Sequence, residues 1–221
     1  MTPVTIGWTT VKRSTERFDE ERGDPELAYE IVVIGTSWGG LAALRTIIGG
    51  LAPEFEIPIA VVQHRHRESD SMLARFLQEH TQLQVCEVED KQPLDSGRVF
   101  VAPANYHLLV EQGHFALSTE APVRYSRPSI DVAMTSAADA YNNRVVGIIL
   151  TGANGDGAEG LRRIADSGGL AVVQDPKSAE MNAMPVAALH AVPTARVFAL
   201  DRIAPFLGAL PSRHEGAPRS E

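Results

Sequence analysis

Residues 29–50 read YEIVVIGTSWGGLAALRTIIGG, and the change of period inside this stretch decides the fold. Tyr29 to Ile34 is a short, β-branched apolar run halted by Gly35, the pattern of a strand buried on both faces of a parallel sheet. Directly after it, Leu41, Leu44, Ile47 and Ile48 recur at helical spacing until Gly49-Gly50 ends the segment. The same alternation continues downstream. Strands are predicted over Pro58–Gln63, Arg144–Leu150 and Leu170–Gln174. Helices are predicted over Met72–Glu79, with Leu73, Phe76 and Leu77 on one face, and over Ile130–Tyr141, Gly157–Asp166 and Met184–His190. Between them, Val85–Val88, Val99–Ala102, His107–Val110 and His114–Leu117 are short strand candidates, with Glu111-Gln112-Gly113 as a hairpin turn. The expectation is an α/β fold: a doubly wound, mainly parallel sheet with helices on both faces, right-handed crossovers and one small antiparallel hairpin.

Around this body, residues 1–28 are polar, carry a mixed-charge run from Arg13 to Glu21 and read as a flexible arm. Residues 29–210 form the expected domain, and residues 211–221, rich in Pro, Ser, Arg and Glu, read as a flexible tail. With 221 residues, 44% hydrophobic and 22% charged, the chain suits one ordinary globular domain and excludes collagen-like, coiled-coil or wholly disordered architectures. Its 20 basic against 28 acidic side chains, a net charge of −8 with no Lys/Arg cluster, argue against nucleic acid as a partner. The single cysteine, Cys86, excludes an intrachain disulfide and a cysteine-cluster metal site, and fits a reducing, cytoplasmic setting. Apolar runs such as Val145–Leu150 fall far short of the roughly 20 residues of a membrane span. The first residues show no signal-peptide pattern, so membrane insertion is not expected.

Ligands of open parallel sheets gather where strand ends lead into helix N-termini. Three loops of this kind carry reactive residue types. In Gly35-Thr36-Ser37-Trp38-Gly39-Gly40, Ser37 sits on a strand-turn-helix corner that lifts its hydroxyl out of the sheet, and the glycines permit a tight backbone and close approach of a substrate. The Trp38 amide is placed to face a developing oxyanion. The alternative is a phosphate cradle or a plain turn, although the loop lacks both the G-x-G-x-x-G spacing and a P-loop lysine. The second loop, His64-Arg65-His66-Arg67, begins with an imidazole at a strand end, where it would activate a serine. His64 and His66 form an H-x-H pair whose other reading is a metal site, for which no completing ligands are evident. In the third loop, Thr151 to Gly160, Asp156 is placed to orient an imidazole, to cap the following helix, or both. A calcium loop fails there, because alignment puts Gly152 and Arg163 where acidic ligands are needed. The order Ser, His, Asp differs from the Ser, acid, His order of α/β-hydrolases.

Taken together, IVVIGTSWGG, VVQH, VAPANYHLLV, RPSID, LTGANGDGAEG and VVQDPKSAEMNAMP resemble segments of the catalytic domain of the chemotaxis protein-glutamate methylesterases, the CheB family, over about Tyr29 to Leu210. The resemblance implies Ser37 as nucleophile, His64 as general base and Asp156 as the group orienting it. It also implies hydrolysis of glutamate methyl esters in the cytoplasmic region of chemoreceptors, with some glutamine deamidation, and no cofactor or metal. Two departures stand out. Ala153-Asn154-Gly155 replaces the family's Met-Gly-x run, which would enlarge the pocket or shift an oxyanion donor, and Trp38 replaces a small residue. For Trp38, helix packing and a wall for the substrate are both open readings. Arg65, Arg67 and Arg127 are candidates for local positive potential beside the cleft or, equally, for solvated surface charge. Family members typically carry a receiver domain ahead of the esterase; a stand-alone catalytic domain is expected here, with regulation absent, external through a separate receiver protein, or different in kind. An esterase for another substrate and a catalytically weak signalling or scaffold module are the alternatives.

Overall fold

In the computed structural model, which describes residues 28–65 and 72–212, seven parallel strands form one sheet. They are β1 (Ile31–Thr36), β2 (Ile59–Gln63), β3 (Gln84–Glu87), β4 (Arg98–Val101), β7 (Val145–Ile149), β8 (Leu170–Gln174) and β9 (Arg196–Phe198). Their spatial order is β3-β4-β2-β1-β7-β8-β9. A separate antiparallel hairpin, β5 (His107–Glu111) with β6 (His114–Ser118), pairs around the predicted turn. Among the described residues five α-helices connect the strands, α1 (Gly40–Gly49), α2 (Met72–Gln78), α3 (Ile130–Tyr141), α4 (Ala158–Asp166) and α5 (Ala183–Ala191), and α6 (Leu200–Gly208) follows the last strand.

The central strands are buried along their whole length, as β1 and β7 show, because helices cover both faces of the sheet. One apolar layer joins Val32, Ile34, Val61 and Val146 to Leu44, Ile47 and Ile48 of α1, Leu77 of α2, and Ile203 and Leu207 of α6. The other joins Val33, Val62 and Ile149 to Ala133 and Met134 of α3, Leu161 and Ile164 of α4, and Ala188 of α5, with Leu108 and Phe115 of the hairpin packed in. Glycine at 35 is enforced by this packing: a Cβ there would run into the Ile130 side chain at the head of α3. Chain order reverses at β1, which pairs with β2 on one side and β7 on the other. That switch point opens a crevice at the carboxyl ends of these strands.

The predicted elements are present with ends shifted by up to two residues, and Ile130–Tyr141 and Leu170–Gln174 match in full. Leu41, read from its spacing as an inward residue, is 48% exposed, since α1 turns only its 40, 43, 44, 47 and 48 positions inward. The sequence reading did not include β9 or α6. Three residues are too few to show a period, and Pro205 interrupts the pattern of α6. Near the two ends of the described residues, Tyr29 donates its amide to Pro211 O at 3.0 Å, and Ser212 Oγ bonds Glu56 Oε2 at 2.8 Å. The first two residues of the expected tail are therefore tied to the body. The rest of that tail, nearly all of the expected arm, His66 and Arg67 lie outside the described residues.

Candidate active site

β1 and β2 pair in parallel with Thr36 opposite Gln63, so Ser37 and His64 are the next residues off two adjacent strand ends. Main-chain bonds fasten this corner. The Ser37 amide donates to Thr151 O at 3.0 Å, and the His64 amide to Thr36 O at 3.1 Å. The Ser37 carbonyl accepts from Gln63 Nε2 at 2.8 Å and from the Gly40 amide at 3.0 Å. Thr36 Oγ1 also donates to Thr151 O, at 2.8 Å, so the loop after β7 grips the corner from its other side.

Gly39 lies at φ 76°, a left-handed value that glycine adopts without strain. A side chain there would meet Glu180 Oε2 at 2.7 Å, and one on Gly40 would meet Thr36 Oγ1 at 2.6 Å. These glycines thus make room for neighbouring protein groups. Gly152 lets Met184 and Ser37 approach in the same way, with Ser37 Cβ only 3.0 Å from where a Cβ would stand.

His64 Nε2 lies 2.8 Å from Asp156 Oδ2, with the His64 side chain 13% exposed and that of Asp156 fully buried. An ionised carboxylate only accepts, so Nε2 carries the proton of the neutral ring and Nδ1 is left as the basic nitrogen. Nδ1 has Asn154 Nδ2 at 3.4 Å. Ser37 is half-buried, and its hydroxyl makes no hydrogen bond among the described residues. The structure thus brings His64 and Asp156 into contact and sets Ser37 beside His64 without a bond between them.

Asp156 caps a helix, but not the one that follows it. Its carboxylate accepts from the Ile130 amide at 2.8 Å, the Asp131 amide at 3.1 Å and Ser129 Oγ at 2.9 Å, all at the N-terminus of α3. Asp131 returns the favour to α4, accepting from the Gly157 and Gly160 amides at 2.9 and 2.8 Å. Burial alone would raise the Asp156 carboxyl; the His64 bond and the two α3 amides outweigh it and hold the group below its ordinary value, charged. Burial likewise raises Asp131, and there the neighbouring Asp156 charge adds to the rise while the Gly160 amide and Arg124 oppose it.

A cleft of about 350 Å³ opens beside His64, lined by Arg65, Pro122, Tyr125, Ser126, Arg127 and Pro128. Arg65 is bound to Glu87 Oε2 at 3.0 Å and Ala102 O at 2.6 Å, so its charge is compensated and its role is to brace the wall. Arg127 reaches Thr119 O, Glu120 O and Asn105 Oδ1 at 2.7, 2.8 and 2.6 Å; these partners are uncharged, so its positive charge persists at the cleft. Trp38 is 63% exposed, which excludes helix packing, and its indole N–H donates to Glu180 Oε1 at 2.9 Å. Ala153 is exposed and, like Trp38, is not among the residues lining this cleft, whereas Arg127 is. No group of three His, Cys, Asp or Glu side chains among the described residues is placed to hold a metal ion.

Sequence reasoning missed Ser129, Asn154 as a neighbour of His64, and Glu180. Only Ser129 left a trace, as the serine immediately before the predicted start of α3.

An elbow serine beside a carboxylate-bound imidazole at a doubly wound switch point is the arrangement of an α/β hydrolytic site. A model of the CheB methylesterase family matches residues 32–207, and the chain belongs to that family. It is 46% identical over 177 residues to a putative protein-glutamate methylesterase/protein-glutamine glutaminase of Leptospira interrogans, covering 80% of this chain and 92% of that one. A protein-glutamate methylesterase/protein-glutamine glutaminase 2 of Anaeromyxobacter dehalogenans is 42% identical over 79% of this chain, which spans 51% of that relative's length. The crystal structure of the Thermotoga maritima CheB methylesterase catalytic domain superposes with a TM-score of 0.78 at 31% identity, over 82% of this chain and 98% of that one.

Proposed function

We infer that this protein is a protein-glutamate methylesterase that also deamidates glutamine side chains, acting through Ser37, His64 and Asp156. The contact of His64 Nε2 with the buried Asp156 carboxylate at 2.8 Å, beside Ser37, carries this reading. Ser37 Oγ attacks the γ-carbonyl of a glutamyl methyl ester as its proton passes to His64 Nδ1, giving a tetrahedral intermediate. The Trp38 amide, which has no acceptor among the described residues, faces the oxyanion. His64 returns the proton to the leaving methoxide and methanol departs. Water, deprotonated by the same nitrogen, then releases the glutamate and restores Ser37. Asp156 stays ionised throughout, stabilises the imidazolium and fixes Nε2 as the protonated nitrogen.

The substrate class is the methylated cytoplasmic region of chemoreceptors, and the reaction accordingly belongs to the cytoplasm. Two features support this reading: family membership, and the positive charge that Arg127 keeps at the cleft. The test is methanol release from methylated receptor fragments by the wild-type chain and by Ser37→Ala, with fluorophosphonate labelling alongside. Release and labelling by wild type alone support the assignment. Labelling without release moves the activity to another ester, and neither signal leaves a scaffold role.

A further inference from the structure

Asp156 is 92 residues from His64 in sequence, and the productive angle between carboxylate and imidazole must be held by whatever grips the carboxylate. Each of its oxygens is held twice. Oδ2 takes the His64 ring and the Ile130 amide; Oδ1 takes the Asp131 amide at 3.1 Å and Ser129 Oγ at 2.9 Å. Ser129 is fully buried, and its single hydroxyl proton goes to Oδ1, because a carboxylate only accepts. As N-cap of α3 the same hydroxyl accepts from the Val132 amide at 3.5 Å, beyond the usual range for such a bond, so capping is its weaker task. Behind Ser129, its own amide donates to Nδ1 of the buried His107 at 3.2 Å, and His107 Nε2 donates to Ala121 O at 3.1 Å. That brace fixes the His107 tautomer and ties the Ser129 backbone to the hairpin.

We propose that Ser129 is a positioning residue, whose hydroxyl locks the Asp156 carboxylate against His64 Nε2 and so fixes the tilt of the imidazole from which Nδ1 would reach Ser37. The proposal rests on the triad reading above. Without the hydroxyl, Oδ1 keeps only its longer bond to Asp131, and the carboxylate is free to tilt.

Ser129→Gly and Ser129→Ala separate positioning from capping, since glycine is nearly as good an N-cap as serine whereas alanine is poor. The readouts are kcat and KM on p-nitrophenyl acetate, the melting temperature, and the low-field proton NMR signal of His64 Nε2–H. Both variants are expected to lose roughly ten- to a hundred-fold in kcat, the size of one hydrogen bond to a charged group, with KM little changed and the His64 signal shifted. A glycine variant with wild-type kcat and an unmoved signal overturns the proposal. So does activity that merely follows melting temperature, with alanine low and glycine normal. If Ser37→Ala remains active in the same assay, the triad reading fails, while the His64 signal still decides whether Ser129 holds Asp156.

Discussion

Asp156 and Ser37 stand at opposite ends of one constellation, and the fold treats them in opposite ways. The carboxylate is sealed from solvent and accepts from His64, Ser129 and the amides of Ile130 and Asp131. The serine hydroxyl, one strand away, bonds to nothing among the described residues, and its neighbour Trp38 is mostly exposed. A buried charge is costly unless its lone pairs are filled, so the acid end has to be complete before substrate arrives. The nucleophile end has no such requirement. In the proposed mechanism its hydroxyl must be free to leave its proton and the Trp38 amide free to meet an oxyanion, while the Ser37 amide is held by Thr151 O. In the proposed triad, preorganisation is therefore concentrated at the acid.

The sharpest way to break this contrast is at the open end. Ser37→Ala or His64→Ala should lower kcat by about a million-fold, the loss expected when a member of a nucleophile-base pair is removed, with melting temperature little changed for Ser37→Ala. Steady-state rates on a methylated receptor fragment read this directly, and residual turnover near wild type would reassign the nucleophile.

At the sealed end, Asp156→Asn should cost less activity, roughly ten-thousand-fold, because serine and imidazole remain. It should cost stability as well. The folded-state pKa of Asp156 is depressed, so its contribution is fully present above the ordinary value of 3.8 and is lost as pH falls through the lower value. Asp131 is raised and has the opposite sign: its contribution is present in acid and is lost as pH rises from 3.8 through the raised value. Melting curves against pH should accordingly show Asp156→Asn removing the acid-side loss and Asp131→Asn removing the loss above 3.8. Equal slopes in all three proteins would contradict the reciprocal capping.

Smaller effects lie at the rim of the elbow. Gly39→Ala forces a Cβ into a left-handed residue and against Glu180, and should lower stability by about 1–2 kcal/mol in thermal unfolding, with activity following as the corner shifts. Glu180→Gln keeps an acceptor for the Trp38 indole but removes the charge. Being exposed, that bond should be worth only about 0.5–1.5 kcal/mol, seen as a several-fold rise in KM with kcat unchanged. A fall in kcat would mean that the Trp38 side chain, and not only its main-chain amide, acts on the reacting atoms.

Local pattern alone made much of this protein legible. The β-branched runs and the 3.6-residue spacing of Leu44, Ile47 and Ile48 specify buried strands alternating with helices, because burial on two faces leaves no polar positions in the strands. Ser37, His64 and Asp156 were readable as candidates because each lies in a loop that leads from a strand to a helix, where a parallel sheet presents its ligands, Ser37 and His64 directly at the strand ends and Asp156 just ahead of the next helix. Other features were settled only by the tertiary structure. The Thr36–Gln63 register sets Ser37 beside His64, and Asp156 caps α3 instead of its own helix. Arg65 is neutralised by Glu87, and Asn154 faces His64. Each of these contacts joins residues 22 to 90 positions apart, and a hydrogen bond between such residues depends on angles and distances that no periodicity encodes. Sequence determined which chemistry stands at the strand ends, and packing of α3 against α4 decided which carboxylate serves which imidazole.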